Sequence, residues 1–142
     1  MIGAQRLSSL EGMLAGDHDR LERAFQAIVT RAYGGDFQQL EAEWLVFQRA
    51  LLGHLEAEEK HLIPALAEDR PGEAGVLLDD HERIRNKLLE LGVDLDLHCL
   101  RADRVDAFVA VLREHAHREE NTFYPWVDGQ VAAAVARRTR DE

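Results

Sequence analysis

Two histidine–glutamate pairs, His54 with Glu58 and His115 with Glu119, carry the spacing in this sequence most able to do chemistry. Residues four apart lie on one face of an α-helix on successive turns, so each pair can offer an imidazole nitrogen and a carboxylate to one cavity. Two more histidines, His18 and His81, stand alone, each preceded by an aspartate, Asp17 and Asp80. Four imidazoles and two carboxylates without a thiolate form a nitrogen-and-oxygen donor set suited to iron or manganese, with zinc also compatible. In the simplest partition one cation takes His18 and His54 and the other takes His81 and His115, while Glu58 and Glu119 bridge both. With a solvent-derived bridge added, one octahedral position per metal stays open, where dioxygen, peroxide or nitric oxide can bind.

The set is duplicated along the chain. Asp17-His18 matches Asp80-His81, and His54-x3-Glu58-Glu59-x2-Leu62-Ile63-Pro64 matches His115-x3-Glu119-Glu120-x2-Phe123-Tyr124-Pro125. Internal repetition of this kind marks a repeated structural unit. His61, seven residues after His54, shares its helical face and is a further candidate ligand, although the repeat places Thr122 at the matching position. A lone histidine on an apolar face is more often a hydrogen-bonded core residue than a ligand. Six inward polar groups together would cost about 1 to 3 kcal/mol each without partners, and a metal offsets that.

Positioning these residues requires long helices. Three-and-four spacing of apolar residues marks four amphipathic segments, and no stretch alternates with period two. The first runs from about Ser8, with Glu11 at the capping-box position, to Tyr33, where Gly34-Gly35-Asp36 stops it. A second, capped by Asp36 with Gln39, continues to about Leu66 and ends at Asp69-Arg70-Pro71-Gly72. The third covers about Glu73 to His98. The fourth runs from about Asp103 to Tyr124-Pro125, and beyond Gly129 residues Val131 to Arg138 can add a short terminal helix. The expected fold is all-α: one domain over 1–142, an antiparallel up-down-up-down four-helix bundle built from two helical hairpins, about 8–67 and 73–125. Pro64 and Pro125 should kink or end their helices.

Several side chains read as ordinary structure. Phe25, Phe37, Trp44, Phe47 and Phe108 are core residues, and Tyr33 and Tyr124 pack at helix ends. Glu59 and Glu120 read as solvated helix-surface charges, with hydrogen bonds to the ligand imidazoles as the alternative. Asp17 and Asp80 point away from the ligand faces and read as solvent-facing, and His98 and His117 read as surface residues. Cys99 is the one cysteine, which excludes an intramolecular disulfide and any thiolate-rich metal site; it reads as a buried or half-buried small side chain.

With 17 Lys and Arg against 27 Asp and Glu, the net charge is −10, which speaks against nucleic acid or an anionic membrane as a partner. No apolar run approaches the ~20 residues a membrane-spanning helix needs, so a cytoplasmic, soluble protein is expected. Protein partners are not legible in the sequence.

From His18 to Pro125 the pattern resembles the hemerythrin-like family, the HHE cation-binding domains, whose motif is a lone His, a His-x3-Glu, a second lone His and a further His-x3-Glu. The resemblance implies a four-helix bundle around an oxo- or hydroxo-bridged di-iron centre, with functions that range over oxygen binding, sensing, and nitric oxide or peroxide handling. Oxygen carriers of that family have an extra histidine four residues from the third-helix histidine. Here Leu77 and Arg85 flank His81 at that distance, which speaks against reversible oxygen carriage. Two functions follow as expectations: a non-haem di-iron protein that binds or reacts with dioxygen, peroxide or nitric oxide, or a non-enzymatic module for iron storage or for metal or oxygen sensing.

Overall fold

A computed structural model describes the backbone of residues 2–141 and the side chains of residues 16–139. Helices α1 (Ile2–Tyr33), α2 (Leu40–His61), α3 (Ile63–Asp69), α4 (Pro71–Asp96) and α5 (Ala102–Arg118) are followed by a π-helical turn, Glu119–Phe123, and by α6 (Tyr124–Asp141). Among the described residues there is no strand, as the missing period-two pattern requires, and no helix is long and apolar enough to cross a membrane. The fold class is all-α.

The helix ends differ from the sequence expectation in instructive ways. α1 begins at Ile2, so Ser8 is not its start, and the side-chain contact of a Ser8–Glu11 box lies outside the described side chains. Its C-terminus is closed by Gly35 at φ 75°, with Gly35 N–H donating to Ala32 O and Asp36 N–H to Arg31 O, the paired bonds of a Schellman cap. Asp36 does not cap α2. That helix starts at Leu40 behind Gln39, which sits in the left-handed region at φ 67° with no side-chain cap bond. α4 ends the same way as α1, with Cys99 N–H to Asp94 O and His98 N–H to Leu95 O, but here His98 rather than glycine takes the positive φ of 53°. A stacked contact with Phe37, ring centroids 3.8 Å apart, accompanies that conformation.

Pro64 acts as expected: α2 stops at His61, and α3 restarts with the proline in its first turn, where a missing N–H costs nothing. Pro125 does not end its helix. The π turn before it bonds Tyr124 N–H to Glu119 O, five residues back, so Pro125 enters the first turn of α6. α6 then runs through Gly129 to Asp141, and the short helix expected at Val131 to Arg138 is part of it.

Two compact units can be distinguished, Leu21–His115 and the pair Met1–Arg20 with Ala116–Glu142. In the larger unit, α1 contributes Phe25, Ile28 and Val29, α2 Leu40, Trp44, Phe47, Leu51 and Leu55, α4 Ile84, Leu88, Leu91 and Leu95, and α5 Val105 and Phe108 to one core. Four of the five expected core aromatics are there; Phe37 is 38% exposed on the loop against His98. Phe25 meets Phe47 at 5.5 Å and Phe108 at 4.9 Å, and aromatic pairs of this kind add about 0.5 to 1.5 kcal/mol to the burial of their area. Gly92 lets α4 pass close to the indole of Trp44, since a Cβ there would lie 3.3 Å from Nε1. In the smaller unit Phe123, Tyr124 and Val127 are buried.

Candidate metal centre

In the larger unit three helices bring four of the expected ligands together. α2 carries His54 and Glu58 on one face, α4 carries His81, and α5 carries His115. Glu58 Oε1 lies 3.5 Å from His54 Nε2 and 3.4 Å from His81 Nε2. One ligand atom from each of Glu58, His81 and His115 falls within 4.8 Å of the others, and all three residues are buried. The rings of His81 and His115 meet edge to face with centroids 4.9 Å apart.

Each of these imidazoles is held from behind. His81 Nδ1 lies 2.6 Å from Glu59 Oε2, and His115 Nδ1 lies 3.0 Å from Asp80 Oδ2. An ionised carboxylate only accepts, so Nδ1 carries the hydrogen and the lone pair is left on Nε2. Asp80, expected in solvent, is buried, and Glu59 is half-buried in the imidazole-supporting role that stood as the alternative to a solvated charge. Both sit one residue from a ligand on their own helix and support a ligand on another helix, Glu59 from α2 to α4 and Asp80 from α4 to α5. Arg85, at a position flanking His81, donates to Glu59 through Nη1 at 2.7 Å and Nη2 at 2.9 Å. That fork, together with the bond from His81, outweighs burial and holds the Glu59 carboxyl below its usual range.

The smaller unit holds His18, Glu119, Glu120 and Tyr124. His18 Nε2 lies 3.2 Å from Glu119 Oε1, and His18 Nδ1 lies 3.1 Å from Glu120 Oε1. Glu120 likewise takes the alternative to a solvated charge and does for His18 what Glu59 does for His81. Tyr124 is fully buried, its ring stacked on the imidazole at 5.6 Å and its hydroxyl 3.0 Å from His18 Nε2. Burial alone would lower the His18 pKa, but hydrogen bonds and charge from Glu119 and Glu120 outweigh it and raise the value above 6.5.

The donor set fits a metal. Deeply buried carboxylates such as Glu58 and Glu119, 1% and 0% exposed, are tolerated only against compensating positive charge or strong donors, and a cation supplies the first. Imidazoles that give Nδ1–H to a carboxylate and turn Nε2 inward are the usual form of metal-binding histidines. His61 stands apart: it is exposed, in the last turn of α2, and belongs to no ligand cluster among the described residues. His98 and His117 are exposed as expected, and Cys99 is exposed rather than buried.

The repeat held a signal for the supporting carboxylates. Asp before the lone histidine and a second Glu after the ligand Glu occur in both halves, and periodicity alone requires neither.

A helical domain with buried His and Glu side chains of this kind defines a class of cation-binding proteins. Residues 10–127 match the family model described as the Hemerythrin HHE cation binding domain, and the chain belongs to that family. Comparison with curated proteins finds no match, and comparison with solved structures finds none.

Proposed function

We propose that this chain holds two iron ions, with His18 and His54 serving one ion, His81 and His115 the other, and Glu58 and Glu119 shared, and that it binds or reacts with dioxygen, peroxide or nitric oxide. The duplicated pattern and the family support the full set of six ligands. The observation that carries the reading lies within the larger unit: one oxygen of Glu58 is nearly equidistant from His54 Nε2 and His81 Nε2. A carboxylate shared between histidines of the two sequence halves is what a bridge requires.

Bound iron would supply one-electron chemistry and open positions for a small ligand. The chain's own residues do the rest. Glu59, Asp80 and Glu120 fix the tautomers of His81, His115 and His18. Glu58 and Glu119 supply negative charge against that of the cations. Buried Tyr124 stacks on the His18 ring and covers one side of it, with its hydroxyl 3.0 Å from Nε2.

Reconstitution under anaerobic conditions, metal analysis, and then exposure to each oxidant test the reading. About two ions per chain and an optical change on exposure are expected, whereas less than about one ion per chain sinks it. Full loading with no response to any of the three oxidants would favour the storage or sensing role instead.

A further inference from the structure

Arg85 stands one helical turn beyond His81 on α4, yet its guanidinium is committed to Glu59 on α2. Both terminal guanidinium nitrogens and both carboxylate oxygens take part, Nη1 to Oε2 at 2.7 Å and Nη2 to Oε1 at 2.9 Å. The same Oε2 accepts from His81 Nδ1 at 2.6 Å. Arg85, Glu59 and His81 therefore form one continuous chain that ends on an imidazole with no exposed surface. A surface ion pair by itself contributes little to stability. This pair differs because its fork leaves the carboxylate one orientation, and that orientation sets where His81 Nε2 points.

We propose that Arg85 is a positioning residue for the metal centre: through Glu59 it fixes the ring of His81 and tunes that histidine as a ligand. The role rests on the two-metal reading above. A lysine could supply the charge but not the fork, because its ammonium is a point donor. Without Arg85 the Glu59 carboxylate keeps its full charge, His81 becomes a more strongly donating ligand in a less fixed orientation, and the oxidised metal is favoured.

The test compares wild type with Arg85→Lys, Arg85→Ala and Glu59→Gln. Three quantities are measured: iron affinity by competition with a chelator, the reduction potential of the loaded protein, and the melting temperature of the metal-free protein. Arg85→Ala should weaken retention of one of the two ions by about tenfold or more and lower the potential. Arg85→Lys should recover most of the potential but only part of the affinity, and Glu59→Gln should lose affinity like Arg85→Ala. A wild-type chain that retains no iron overturns the centre and this role with it. A wild-type chain that retains two ions, beside variants with unchanged affinity and potential, overturns the role alone. So does a lower melting temperature of the metal-free variants with both metal readouts unmoved, since Arg85 would then be only structural. Should Arg85→Ala not fold, Arg85→Lys and Glu59→Gln decide by the same readouts.

Discussion

His115 on α5 hands its Nδ1 hydrogen to Asp80 on α4, 3.0 Å away, and Asp80 is the residue immediately before His81. The backbone step that places one ligand therefore places the support of another. Asp80→Ala should reduce metal affinity by about 10- to 100-fold while His81 stays in place, and Asp80→Asn should fall between. Chelator competition checks this; equal affinities for all three proteins would show that Asp80 only fills space.

Glu58 is expected to be the least replaceable acidic residue. Glu58→Ala removes the oxygen that faces both His54 and His81, and iron content after reconstitution should drop from about two ions to about one or none. Elemental analysis against protein concentration reads the result directly, and full retention would exclude a bridging role.

His61→Ala serves as the control of the same helix. Because His61 is exposed at the end of α2, its loss should leave iron content unchanged; a fall would make it a ligand.

Tyr124→Phe deletes the hydroxyl next to His18 Nε2 but keeps the stacked ring. The metal-free protein should lose about 1 kcal/mol of stability, against about 3 to 5 kcal/mol for Tyr124→Ala. Urea denaturation of the metal-free variants measures both, and a Tyr124→Phe protein as stable as wild type would mean that the hydroxyl bond is not worth its desolvation.

The metal-free protein should also respond to pH through His18. Its folded pKa is raised above 6.5, so its contribution to stability is complete below that value and fades as pH rises through the folded pKa. Metal binding runs the other way, since the cation competes with the proton and affinity grows as pH rises. Histidine proton NMR of the metal-free protein locates the titration; a His18 midpoint below 6.5 would contradict the geometry around Glu119 and Glu120.

Much of this was legible in the sequence. Helical periodicity marked four amphipathic segments, and Phe25, Trp44, Phe47 and Phe108, read as core residues, lie in the core. Spacing of four paired His54 with Glu58 on one face of α2. What escaped were contacts made across helices. A helical wheel turns Glu59 about 100° away from Glu58, which leaves solvent and a ligand imidazole as its two readings, and it does not say that the neighbouring helix supplies His81. Asp80 was misread for the same reason. Asp36 was misread as a cap because its residue type suits that role, while the chain satisfied its backbone through the Gly35 turn instead.

The two duplicated prolines meet different fates, and the second has a mechanical consequence. The turn at Glu119–Phe123 accommodates one residue more than the α-helical screw allows, so everything from Tyr124 onward runs out of phase with α5. Deleting any single residue from 120 to 122 would restore the ordinary pitch and rotate the tyrosine ring away from the imidazole it now covers. Helical content would survive such a lesion almost intact, which makes this short stretch a place where length, more than composition, is constrained.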